Sequence, residues 1–123
     1  MNILIVDDSR TIRMIIRRTL RMANIGHHVV EEAEDGQDAL RKLEAFPADL
    51  ILSDWNMPNL DGLELLEAVR AAGNNTVAFG FVTSSCSSEA HERATAAGAS
   101  FFVDKPFKPE DIYAALKPML KEA

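Results

Sequence analysis

An alternation of two kinds of segment narrows the possible folds most. Five short apolar segments, "NILIV", "HHVVEEA", "DLILS", "VAFGFVT" and "SFFV", are separated by stretches whose apolar residues recur at helical spacing. This is the βα pattern of a parallel sheet, since parallel neighbours must be joined by a long crossover. Four of the five runs are almost continuously apolar, as expected of strands covered by helices on both faces. "HHVVEEA" is more polar and is assigned to an edge.

The crossovers carry helix signals of their own. In the first, Ile12, Ile15, Ile16 and Leu20 share one face, Arg10, Arg13, Arg17 and Arg21 share another, and Ser9 is the N-cap. The arginine stripe reads as a solvated face, with a docking surface for a kinase or phosphotransfer protein as the alternative. Later helices are predicted from about Gln37 to Phe46, Gly62 to Ala72, Ser88 to Ala97 and Pro109 to Lys121. Asp35 and Asp61 serve as caps and Gly73 and Gly98 as stops, while Pro118 should kink or fray the last helix. Gly80 interrupts the fourth strand and implies a bulge or a close backbone approach.

Composition limits the function classes. At 123 residues and 47% hydrophobic content the chain suffices for one ordinary core, so residues 1–123 are taken as one domain with no room for an output domain. A net charge of -6 argues against a nucleic-acid binder held by phosphate neutralisation. Cys86 stands alone and cannot form an internal disulfide, and no Cys and His residues have zinc-like spacing, His27 and His28 included. The apolar start is too short for a signal-peptide core and no run is long enough to span a bilayer. The expectation is a soluble cytoplasmic protein, without membrane or nucleic-acid partners.

The stretch "ILSDWNMPNLDG" puts a carboxylate, Asp54, where an apolar strand ends. A charged group at the rim of a core is costly without partners. In a parallel sheet wound by right-handed crossovers, the C-terminal ends of the strands share one edge, and ligands bind there at the switch point in strand order. The residues at those ends are Asp7 and Asp8, then Asp54, Thr83 with Ser84, and Asp104 with Lys105. Singly, aspartates at strand ends are usually turn residues, but this set is gathered on one rim. Two carboxylates about 4 Å apart repel by roughly 4 kcal/mol at an effective dielectric of 20, so the three aspartates call for a cation. All-oxygen ligands suit Mg²⁺ or Mn²⁺, while the Lys105 ammonium and Thr83 hydroxyl suit phosphate oxygens. Asp54, alone on its strand, is the best nucleophile, and carboxylates do attack phosphorus to give acyl phosphates.

The motifs "VDDS", "LSDWNMPNLDG", "FVTS" and "DKPF" resemble, in order and spacing, those of the CheY-like receiver domains of two-component response regulators. The resemblance covers the whole chain. It implies a doubly wound, flavodoxin-like α/β fold with five parallel strands in the order 2-1-3-4-5. It also implies that Asp54 is phosphorylated, that Asp8 and Asp54 bind Mg²⁺ directly, Asp7 through water and Asn56 through its backbone carbonyl. Thr83 corresponds to the hydroxyl that closes on the phosphoryl oxygens, Lys105 to their paired lysine, Pro106 to a proline after a cis peptide bond, and Phe102 to the aromatic that turns inward. Phe102 lacks the hydroxyl that many chemotaxis members carry there as tyrosine.

The resulting expectation is a monomeric, stand-alone response regulator. A histidine kinase would phosphorylate it, and the face made by the fourth helix, fifth strand and fifth helix would bind a downstream protein, with chemotaxis or motility as the setting. The alternatives are a relay shuttle passing phosphoryl to a histidine phosphotransfer domain, a Mg²⁺-dependent phosphohydrolase, and a scaffold that is never phosphorylated. A hydrolase would need a general acid near the nucleophile, and Asn56 is a poor one. No turnover of an external substrate is expected.

Overall fold

The computed structural model describes residues 1–84 and 87–119. The predicted end of the last helix at Lys121, together with Ser85 and Cys86, lies outside the described residues. Five strands, β1 (Asn2–Val6), β2 (Val29–Ala33), β3 (Leu50–Ser53), β4 (Ala78–Thr83) and β5 (Phe101–Asp104), alternate with five helices. The helices are α1 (Arg10–Met22), α2 (Gly36–Leu43), α3 (Gly62–Ala71), α4 (Ser88–Ala96) and α5 (Pro109–Leu116), the last running into a 3₁₀ turn at Lys117–Met119. The strands are all parallel and ordered β2-β1-β3-β4-β5. This is the doubly wound, flavodoxin-like arrangement, with the order reversing between β1 and β3.

The alternation of side chains along each strand splits the interior in two. Leu4, Val6, Ile51, Phe79 and Phe81 pack with Leu65, Leu66 and Val69 of α3 on one side of the sheet. Ile3, Ile5, Leu50, Leu52 and Val82 pack with Ile16 and Leu20 of α1 and Ile112 and Leu116 of α5 on the other. Burial on both faces explains why β1 and β3 are continuously apolar. β2 has only Ala33 buried and is an edge strand. Among the described residues, no helix is long and apolar enough to cross a membrane.

Most caps act as their sequence implies. Ser9 Oγ accepts from the Ile12 N–H, Asp35 Oδ1 accepts from the Asp38 N–H, and Asp61 and Glu64 form a reciprocal capping box. Gly73 and Gly98 leave their helices at φ of +96° and +103°, where glycine carries no Cβ penalty. Two helix ends differ from expectation. α2 stops at Leu43, short of Phe46, because the chain tightens into i→i+3 bonds, Glu44 N–H to Arg41 O and Ala45 N–H to Lys42 O, ahead of Pro47. α5 stops at Leu116, the α-helix giving way to the 3₁₀ turn at Pro118 as that proline's expected disruption implies, because it offers no N–H and its ring opposes the carbonyl one turn earlier.

Two further expectations need correction. β4 has no bulge at Gly80, which pairs in register with Leu52 and Phe101. The close approach is by a ring: a Cβ at Gly80 would lie 2.2 Å from Cε1 of Phe101. Nor is the arginine stripe wholly solvated. Arg13 and Arg17 both grip Glu32 of β2, with Nε–Oε1 and Nη2–Oε2 separations of 2.9 and 2.8 Å. Arg13 also donates from Nη1 to the Asp7 carbonyl at 2.6 Å, so this clamp ties α1, the edge strand and the end of β1 together.

Burial alone would raise the Glu32 carboxyl, but the hydrogen bonds and charges of Arg13 and Arg17 outweigh it and hold the group below its usual range. A carboxylate stabilised in the folded state contributes stability above the ordinary carboxylate range, and that contribution is lost as pH falls through the native value. Glu32→Gln is therefore expected to cost roughly 1 kcal/mol at pH 7, the scale of a partly exposed ion-pair cluster. Urea unfolding at stepped pH from 7 to 3 should show the gap from the parent protein closing.

Candidate functional site

The parallel sheet delivers the acidic residues to one rim. Asp7 follows β1 and is only 2% exposed, Asp8 is exposed beside it, and Asp54 follows β3 with its side chain 15% exposed. The ladder continues past the strand ends: the Asp7 N–H donates to Ala33 O and the Asp54 N–H to Val6 O, at 3.1 and 2.9 Å. These bonds hold the backbones of both aspartates in line with the sheet. One carboxylate oxygen from each of Asp7, Asp8 and Asp54 lies within 4.8 Å of the others.

Lys105, immediately after β5, reaches across this rim. Its Nζ lies 3.2 Å from Asp7 Oδ2 and 3.6 Å from Asp54 Oδ1. Asp7 Oδ1 also accepts from the Ser9 N–H at 2.8 Å, and Asp54 Oδ1 from the Trp55 N–H at 2.8 Å. One ammonium among three carboxylates leaves a negative surplus. Burial pushes the Asp54 carboxyl up, the charge of Lys105 draws it down, and Asp7 and Asp8 push it up again, for a net rise. The donor set thus fits a small divalent cation bound through oxygen, since added positive charge would relieve both the repulsion and the rise.

Thr83 ends β4, is 2% exposed and pairs in register with Asp104, and its carbonyl accepts from the Lys105 N–H at 3.0 Å. The Lys105–Pro106 peptide is cis. Asn56 is exposed two residues beyond Asp54. Phe102 is half-buried and stacks on Phe81 at a centroid distance of 5.4 Å, and Phe81 in turn leans on Trp55 at 4.8 Å.

Several residues that shape the rim were not singled out for it in the sequence. Gly62 reads in the sequence only as a helix start, yet a Cβ there would lie 2.3 Å from the Asp54 carbonyl and 2.7 Å from the Phe81 ring. Its N–H donates to Trp55 O at 2.8 Å, so the start of α3 is drawn directly against the segment carrying Asp54. The available signal was glycine inside the first turn of a helix, where it is a poor helix former. Arg13 and Ser9, which fasten Asp7, had no comparable signal because their roles depend on contacts outside the helix pattern.

A sequence model described as the response regulator receiver domain matches residues 3–117. The chain belongs to this family. Over 122 residues this receiver domain is 35% identical to the chemotaxis protein CheY1 of Helicobacter pylori strain J99, covering 98% of the chain and 97% of the relative. The fold superposes on the chemotaxis protein CheY4 of Vibrio cholerae with a TM-score of 0.86 at 36% identity, covering 97% of this chain and 98% of that one. A CheY-like receiver domain protein of Methanospirillum hungatei gives 0.85 at 30% identity, covering 97% and 92%. Receiver domains of this type are signalling proteins rather than enzymes that turn over a substrate.

The Gly62 contacts generate a direct test. Gly62→Ala must displace backbone or the Phe81 ring and is expected to cost about 1–3 kcal/mol, the usual range for overpacking. Denaturant unfolding should show the loss, and Trp55 emission in the folded protein should shift as its neighbourhood is rearranged.

Proposed function

We propose that this receiver domain accepts a phosphoryl group on Asp54 from the phosphohistidine of a partner kinase. The observation that carries this reading is the meeting of Asp7, Asp8, Asp54 and Lys105, from three separate strand ends, at one rim. In the transfer, an Asp54 carboxylate oxygen bonds to phosphorus as the bond from phosphorus to the donor imidazole nitrogen breaks, and that nitrogen keeps the electron pair. Mg²⁺, or Mn²⁺, held by Asp7, Asp8, Asp54 and the backbone carbonyl of Asn56, would supply positive charge against the phosphoryl oxygens. Lys105 is close enough to Asp54 to pair with the new anion, and Thr83, at the adjacent strand end, offers a hydroxyl donor.

The acyl phosphate would exchange one carboxylate charge for a larger, more diffuse one, drawing Lys105 and Thr83 toward it. Phe102 lies on the strand next to Thr83 and is the residue through which that movement would reach the face formed by α4, β5 and α5. A downstream protein reading that face completes the switch. The similarity to CheY1 and CheY4 supports chemotaxis or motility as the setting.

Asp54→Asn is expected to abolish phosphoryl incorporation from acetyl phosphate with Mg²⁺ while the protein stays folded. Undiminished labelling of the variant would place the acceptor elsewhere. Cation binding is tested separately: Mg²⁺ at a hundred times its Kd should stabilise the fold by about 2.7 kcal/mol. Asp8→Asn should remove most of that gain in thermal unfolding, and Trp55 fluorescence should report the cation in the parent protein only.

A further inference from the structure

Helix α4 is the most lightly anchored of the five. Its sequence, SEAHERATA, contains no aliphatic side chain larger than alanine, and Ala94 is its one buried residue. Every other helix buries at least two. His91, although exposed, brings its ring against the sheet. That imidazole lies face-on against Phe102 of β5, with centroids 3.8 Å apart and planes inclined by 24°.

The stack extends inward. Phe102 lies on Phe81 at 5.4 Å and 18°, and Phe81 leans on Trp55 at 4.8 Å and 47°. Trp55 follows Asp54 and donates its N–H to that carboxylate. A column of four rings therefore runs from the acidic rim to the outer helix. Phe102 also borders a groove of about 500 Å³ whose lining includes Phe101, Asp104, Pro106 and Ala115.

We propose that His91 is a positioning residue that ties α4 to β5 through Phe102, so that displacement of the Phe102 ring is felt at once by α4 and by a partner docked there. Coupling between distant sites is carried by packed elements with two discrete arrangements, and the groove beside Phe102 is space into which its ring would move. A helix with one fully buried alanine and one ring stack is loosened when the ring's support leaves. The transmission half of this proposal rests on the phosphoryl-acceptor reading, whereas the tie is a property of the unmodified protein.

Amide hydrogen exchange in the full chain tests the tie. His91→Ala is expected to speed exchange of the α4 amides roughly three- to tenfold while α1 is unchanged, the range set by the loss of one ring pair. Alanine is the better helix former, so intrinsic propensity would act in the opposite direction. Phe102→Leu should give a similar increase, the double variant no more than either single one, and His91→Phe should restore the parent rates. Unchanged α4 exchange in His91→Ala, or effects that multiply in the double variant, would overturn the tie.

Transmission is tested with acetyl phosphate and Mg²⁺. His91→Ala should incorporate phosphoryl as the parent does but lose the accompanying change in α4 exchange, and a retained α4 response would overturn transmission. If the parent incorporates no phosphoryl, the acceptor reading fails together with the transmission that depends on it, and the exchange cycle still decides the tie.

Discussion

The ion pair on which the rest of the structure turns is that of Lys105 with Asp7 and Asp54. A carboxylate as buried as Asp7 is destabilising unless its charge is answered, and truncating one member of such a set leaves the others uncompensated. Lys105 answers it from the far side of the sheet, 98 residues along the chain. That meeting requires β1, β3, β4 and β5 to be parallel, adjacent and in register, because a slip of one residue would turn each strand's side chains to the opposite face. The two hydrophobic layers supply that registration: Ile3 to Val6 and Leu50 to Leu52 are fully buried.

The rim is braced unevenly. On one side, Gly62 lets α3 press against the Asp54 segment, the Asp61–Glu64 box caps the helix, and α3 buries five residues. The Arg13–Glu32 clamp and the bond from Arg13 to the Asp7 carbonyl stiffen the opposite flank through α1. On the β4–β5 side, α4 buries a single alanine and leans on a stacked ring. Local stability follows buried contact, so a change in charge at the rim is expressed most easily where the least apolar surface holds the chain. The acidic cluster is thus held by stiff neighbours on two flanks and by a softer one on the third.

Much of this was legible in the sequence, for identifiable reasons. β1, β3 and β4 were legible because strands buried on both faces must be apolar throughout, and β2 because its polar residues mark an edge. Ser9, Asp35 and Asp61 were legible as caps because capping is a contact within three residues. The acidic rim was legible because strand ends of a parallel sheet share an edge, whatever the side chains do there. By contrast, Gly80 pointed to a bulge or a close approach, and which of the two was not legible: the glycine makes room for the Phe101 ring, a contact across strands that no local pattern encodes. The arginine stripe misled similarly, since helical periodicity identifies a polar face but not Glu32 waiting on β2.

The chain's own pattern of residues determined the element order, the parallel sheet and which carboxylates, hydroxyl and ammonium stand at its C-terminal edge. These follow from periodicity, capping and winding, all of which act over short stretches or through topology alone. Only the tertiary structure decided that Lys105 bridges Asp7 and Asp54, that Gly62 must be bare for α3 to approach, and that His91 rests on Phe102. Each of these depends on distances of a few ångströms between elements far apart in sequence, and such distances are set by how the side chains of two packed layers fill space together.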